Sequence, residues 1–157
     1  MFELVLPNRY RLVAGRGDGS TELNAVDRAL TAAGVGDFNL VKVSSILPPG
    51  AAQGSLDALL PGAVVFSAMG ALTSHRAEEM IAAAVAVGIP ADRSCAGVLM
   101  EGGFRSTGSE AEERVREMAR TALSDRGIDD FQLESLAIET TVRNCSAVIA
   151  AVLLWRE

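Results

Sequence analysis

The chain has few of the side chains from which catalytic sites are usually built. Its 157 residues include two cysteines, one histidine, one tryptophan and one tyrosine. Cys95 and Cys145 lie far apart without metal-ligand spacing, and they read as small buried residues of a reduced compartment rather than as a disulfide. His75 stands alone in the polar stretch Thr73-Ser74-His75-Arg76, so neither a metal cluster nor a Ser-His-Asp arrangement has its parts. Positive charge is also scarce. A net charge of -6 and a pI near 4.8 disfavour nucleic acid, whose binding needs clustered Lys and Arg, and favour a cationic small molecule. No apolar run reaches the roughly 18 residues of a membrane span. The start, Met1-Phe2-Glu3-Leu4-Val5-Leu6-Pro7, has no basic region leading into an apolar one. A cytoplasmic protein is expected, with neither nucleic acid nor membrane as partner.

Aromatic residues are sparse and alanine is abundant, so the core should be made of small, closely spaced layers, which favours sheets packed face to face. The length suits one domain over residues 1–157, which would bury roughly two-thirds of its unfolded surface.

Tyr10 to Ala14 reads as a strand, followed by Gly15-Arg16-Gly17-Asp18-Gly19 as a loop. Ser20 is then a candidate N-cap for a helix from Thr21 to Ala33, which Gly34 ends. On that helix Leu23, Val26, Leu30 and Ala33 follow helical spacing, and Asp27 falls inside the stripe. A carboxylate there needs a cation: an internal arginine such as Arg9 or Arg11, or a cationic ligand.

A strand carrying Ser44 and Ser45 comes next and ends at Pro48-Pro49-Gly50, followed by a possible helical turn near Ser55 to Leu60 and an apolar run from Ala63 to Leu72. Ala77 to Val87 has helical propensity, but Val85, Val87 and Ile89 alternate, and a strand is preferred. Ala96 to Met100 is a strand ending at Glu101-Gly102-Gly103. Ser109 is the candidate cap of a charge-rich helix to about Arg126, with Glu112 as its reciprocal capping partner. Gly127 stops this helix. Phe131 to Val142 and Cys145 to Trp155 read as two final strands, the last apolar enough to be buried on both faces.

The order contains a repeat. Strand, Gly-rich loop, capped helix, Gly, then Asp37-Phe38-Asn39-Leu40 recurs later with Asp130-Phe131-Gln132-Leu133. This suggests two similar β-α-β-β halves, each contributing one sheet and one covering helix.

Gly15-x-Gly17-x-Gly19 is a decoy for dinucleotide binding. It lacks the G-x-G-x-x-G spacing, and Asp37 begins the second strand where a ribose-binding acid should end it. Glu101 offers chemistry, because a carboxyl at the end of an apolar strand beside two glycines can be partly desolvated, as a proton donor requires. Its plainer reading is a solvated strand-end residue.

Two adjacent hydroxyls at a strand's exit, Ser44-Ser45, most often only satisfy backbone groups before a turn. The wider context is more specific. Phe38-Asn39-Leu40-Val41-Lys42-Val43-Ser44-Ser45-Ile46-Leu47-Pro48-Pro49 resembles the self-cleavage segment of the pyruvoyl-dependent arginine decarboxylases, as do Leu12-Val13-Ala14-Gly15 and Leu23-Asn24-Ala25-Val26-Asp27. The likeness returns at Cys95 to Glu101 and in the last two dozen residues, and is weakest between Ala51 and Asp92.

The resemblance implies an α+β fold, a four-layer α/β/β/α sandwich. It also implies that Ser45 attacks the carbonyl of Ser44, cutting the chain into 1–44 and 45–157 and leaving a pyruvoyl cofactor derived from Ser45. Such a group serves as the electron sink for decarboxylating L-arginine to agmatine. Pyridoxal phosphate would otherwise need a lysine, and Lys42 is the only one. By the same resemblance Glu101 is the proton donor, Asn39 lies near the cleavage site, and Asp27, Leu23 and Ser44 contact substrate, with Asp27 receiving the guanidinium. A homotrimer of cleaved protomers with active sites at subunit interfaces is implied. Two rival readings stay open: a pyruvoyl decarboxylase of another amino acid, and an uncleaved, non-catalytic trimer that binds a cationic metabolite.

Overall fold

The structure, a computed structural model, describes residues 4–157. Met1 to Glu3, the start of the N-terminal stretch and of the 1–157 domain read above, lie outside the described residues. In chain order the elements are β1 (Arg9–Asp18), α1 (Glu22–Ala32), β2 (Asn39–Lys42), β3 (Ile46–Leu47), β4 (Ala52–Gln53), a short 3-10 turn (Leu56–Ala58), β5 (Val64–Ser74), β6 (Met80–Pro90), β7 (Gly97–Phe104), α2 (Gly108–Asp125), β8 (Phe131–Thr141) and β9 (Ser146–Trp155). They form a five-stranded sheet ordered β2-β5-β9-β1-β4 and a four-stranded sheet ordered β3-β7-β6-β8. Helix α1 covers the outer face of the first sheet through Ala25 and Ala29, and α2 covers the second through Ala111, Val115 and Ala119. The inner faces meet in one apolar core that includes Leu12, Val85, Val87, Leu99 and Val152. This is the expected four-layer sandwich. The two halves interlock, since β9, from the end of the chain, runs through the middle of the first sheet.

The alanine-rich segment is strand β6. It lies between β7 and β8, and Ile81 to Pro90 are all buried. Two covered faces and hydrogen-bonded neighbours on both edges outweigh the helical propensity of alanine. Strand β9, buried along its whole length, occupies the same central position in the other sheet.

Several expected boundaries move. The Gly15–Gly19 run is not a loop but continues β1 to Asp18. A Cβ at Gly15 would lie 2.0 Å from the Ala29 carbonyl oxygen, and one at Gly17 2.7 Å from that of Ala25. These glycines let the helix backbone rest on the strand. The cap of α1 is Thr21 rather than Ser20, its Oγ1 accepting the Asn24 N–H at 3.1 Å. Helix α2 is capped by Thr107 rather than Ser109, with Glu110 rather than Glu112 completing the box. The Glu139 carboxylate accepts the Gly108 N–H at 2.5 Å and draws the helix start toward β8, while Glu112 accepts the Ser135 hydroxyl at 2.6 Å.

Two features fix the distance between the sheets. A Cβ at Gly70 would lie 2.3 Å from the Gly102 nitrogen, and one at Gly103 would lie 2.3 Å from the Ala71 oxygen, so β5 and β7 touch backbone to backbone. Elsewhere Tyr10, 3% exposed, reaches from β1 to β8 and donates to the Glu134 carboxylate at 3.0 Å. Burial, helped by this bond, pushes the phenol up from 10.0 to about 12.

Gly70→Ala is expected to destabilise the protein by about 3 kcal/mol, since backbone is what must move; urea unfolding measures this. The Tyr10 phenol titrates higher folded than unfolded, so its contribution is complete below pH 10 and is lost as pH rises toward 12. Tyr10→Phe is expected to cost about 2 kcal/mol at neutral pH and to remove that part of the alkaline decline.

Candidate active site

The serine pair lies where the chain passes from one sheet to the other. Upstream, β2 is an edge strand parallel to β5, and past its end the Val43 N–H donates to the Ser67 carbonyl at 3.1 Å. Downstream, β3 pairs antiparallel with β7, and the Leu99 N–H donates to the Ser45 carbonyl at 2.9 Å. Only Ser44 separates the two anchors. The expected strand therefore stops at Lys42, because its continuation belongs to the other sheet. Ser45 takes up the crossing with a φ of 71°, in the left-handed region. For a side chain with a Cβ this costs roughly 1–2 kcal/mol, a strain held in place by the anchors on either side.

Glu101 lies inside β7, three residues before its end, rather than at the strand's exit. It shares the inner face of the sheet with Leu99 and is half-buried. The Ser45 hydroxyl donates to its Oε1 at 2.8 Å. One strand thus holds Ser45 twice, by its carbonyl through Leu99 and by its hydroxyl through Glu101 two residues on. Gly103 allows the close approach expected of it, the approaching group being the β5 backbone, whereas Gly102 makes room for the Phe104 ring. Beside exposed Ser44 lies a cleft of about 210 Å³, walled by Val43, Ile46, Pro48, Phe66 and Leu154.

Ser44, Ser45 and Glu101 come together within the chain, whereas Asn39, Asp27 and Leu23 stand apart. Asn39 is exposed at the start of β2, about 10 Å before its end, and its amide donates to the Gly62 carbonyl at 2.9 Å. Asp27 is not in the buried stripe. The glycines of β1 let α1 sit on Ala25 and Ala29, which leaves Asp27 exposed on the far side together with Leu23, itself 79% exposed. Nor is Asp27 held by Arg9, whose guanidinium pairs with Glu157 at 2.8 Å. Glu22 and Cys145 lie 3.2 and 3.8 Å from the same His75 Nε2, so they do not flank the ring as a catalytic relay would. The Leu99 donor and the strained φ of Ser45 had no signal in the sequence, since both are backbone features created by a distant strand.

The sequence profile of the family described as pyruvoyl-dependent arginine decarboxylase matches residues 9–157. The chain belongs to this family. A pyruvoyl-dependent arginine decarboxylase of Methanocaldococcus jannaschii is 44% identical over 96% of this chain and 91% of its own length. One from Methanococcus aeolicus is 44% identical over 95% of this chain and 90% of its own. Another, from Methanothermobacter thermautotrophicus, is 34% identical over 95% and 97%.

A pyruvoyl-dependent arginine decarboxylase draws its cofactor from a serine of its own chain. The residues here fit that requirement: a hydroxyl, a carboxylate that accepts its hydrogen bond and a strained backbone meet at Ser45. Glycine relieves this strain. Ser45→Gly is expected to be about 1 kcal/mol more stable than Ser45→Ala in urea unfolding, the reverse of their order in ordinary strand. Equal stabilities would remove the strain from the account.

Proposed function

We propose that the chain cuts itself between Ser44 and Ser45 and that the two fragments, folded together, decarboxylate L-arginine to agmatine and CO₂. The observation that carries this reading is the 2.8 Å hydrogen bond from the Ser45 hydroxyl to Glu101, made by a serine whose backbone is under strain. Glu101 accepts the hydroxyl proton as Oγ attacks the Ser44 carbonyl, and passes it to the departing amine of residue 45. The peptide becomes an ester. Elimination of that ester frees Ser44 as a carboxylate, and water releases ammonia from the new terminus of residues 45–157.

The pyruvoyl group, held at the new terminus of residues 45–157, would supply a ketone for the substrate amine and a sink for the electrons left by departing CO₂. Glu101, already beside Ser45, then returns a proton to the product carbon. Asp27 meets the guanidinium, whose planar fork suits a carboxylate, with Leu23 against the aliphatic stem and Ser44 at the substrate's other end. Asn39 holds a carbonyl or carboxylate of the reacting groups.

Since Asp27, Leu23 and Asn39 stand apart from Ser45 in one protomer, they serve a neighbour's site in a homotrimer. Exposed apolar residues support such an assembly: Leu23 on α1, and Val41, Ile46 and Val64 around the β2 edge. Two free cysteines suit a cytoplasmic setting. Among the described residues no helix is long and apolar enough to cross a membrane.

Intact-mass analysis tests the first step. Fragments 1–44 and 45–157 are expected, the larger lighter by one ammonia than a serine-terminated chain; a chain that stays whole on prolonged incubation points to a non-catalytic binder instead. Glu101→Gln is expected to slow cleavage about 10²-fold. Asp27→Asn is expected to leave cleavage intact and raise KM for arginine about 10-fold or more. A CO₂-release panel in which arginine does no better than lysine, ornithine or aspartate would assign another substrate. Sedimentation reports the trimer.

A further inference from the structure

We infer that the backbone N–H of Leu99 is the electrophilic donor for the elimination step that opens the ester at Ser45. The inference rests on the self-cleavage reading above and identifies the group that makes its hardest step feasible. In that step the α-proton of residue 45 leaves, the Cβ–Oγ bond breaks with its electron pair going to the departing Ser44 carboxylate, and a Cα–Cβ double bond forms. Glu101, again a carboxylate once it has passed the hydroxyl proton on, is the base within reach.

An α-proton beside an amide is a weak acid. As it leaves, negative charge spreads from Cα onto the Ser45 carbonyl oxygen, and that oxygen accepts the Leu99 N–H at 2.9 Å. A donor already aimed at the atom where charge develops stabilises the transition state without reorganisation, and more so away from water. Leu99 meets these conditions. Its side chain is fully buried in the inter-sheet core, and β7 is held in register by β6 through the pair Val87 and Leu99. Val43 fixes the other side of the crossing from β5, so the uncleaved chain already holds the Ser45 carbonyl against the Leu99 N–H. On this strand residue 99 supplies the donor and residue 101 the base, both to one serine.

The test replaces one N–H and keeps every side chain. Cell-free synthesis with a chemically acylated suppressor tRNA places the α-hydroxy analogue of leucine at position 99, turning that amide into an ester. A control chain carries the glycine analogue at Gly97, two residues along the same strand and paired with Leu47. Melting curves check that both chains fold. Serinolysis and elimination are followed separately: a full-mass chain that hydroxylamine splits after Ser44 is the ester, and fragments with the pyruvoyl mass mark its elimination.

The position-99 chain is expected to form the ester and to accumulate it, with elimination about 10²-fold slower than in the wild type, while the position-97 chain behaves as wild type. Converting the Ser45–Ile46 amide to an ester in the position-99 chain makes the α-proton intrinsically more acidic, and is expected to restore elimination, which a merely structural defect would not allow. Clearance of the ester at the wild-type rate in the position-99 chain, or equal slowing in the position-97 chain, would overturn the inference and leave self-cleavage standing. A wild-type chain that never forms the ester overturns both.

Discussion

The short tether from Val43 to Ser45 is the constraint on which the site depends. Its first residue is hydrogen-bonded to one sheet and its last to the other, with a single residue between them. The sheets must therefore stand at a fixed, small separation, or the Ser45 carbonyl and hydroxyl could not both reach β7. Gly70 and Gly103 set that separation by letting β5 and β7 touch through backbone, close to Glu101. The alanine-rich core has the same consequence: small side chains along β6 and β9 allow two covered sheets to close over a strained crossing. Packing density and chemistry are thus one problem in this fold.

Strain and hydrogen bonding act together at Ser45. A left-handed φ alone would relax, and a hydroxyl on a carboxylate alone is common. Here the backbone on both sides is tied into ladders, so the strain persists beside the Ser45 hydroxyl. Glu101, which accepts the Ser45 hydroxyl, is on a central part of a strand rather than on a loop, which gives it a fixed position. The polar groups at the opposite end of the sandwich, around Asp18, His75 and Cys145, share no residue with this site.

Much of the fold was legible. The final strand, the alternation of Val85, Val87 and Ile89, and the repeated strand-helix-strand order were readable because burial on both faces and twofold alternation are local properties of sequence. Helix starts were less so. Thr107 prevailed over Ser109 because Glu139, more than thirty residues on, pulls Gly108 toward β8, which no local capping rule includes. The Gly15–Gly19 run has the composition of a loop, which glycine usually marks; here its lack of a side chain serves helix-on-strand contact. The position of Asp27 escapes local rules for a related reason. Helical spacing identifies which residues share a face, but how wide a face the sheet covers depends on how closely the helix approaches.

By itself, then, the sequence determined the class of fold, the candidate residues Ser44, Ser45 and Glu101, and the family likeness, because these reside in patterning and in side-chain type along one strand at a time. Only the tertiary structure decided that Ser45 is strained, that Leu99 and Glu101 hold it from the same strand, and that Asp27, Leu23 and Asn39 lie elsewhere on the surface. Those facts depend on where segments far apart in the chain meet, and a backbone N–H carries no residue signature that would reveal its direction before the sheets are assembled.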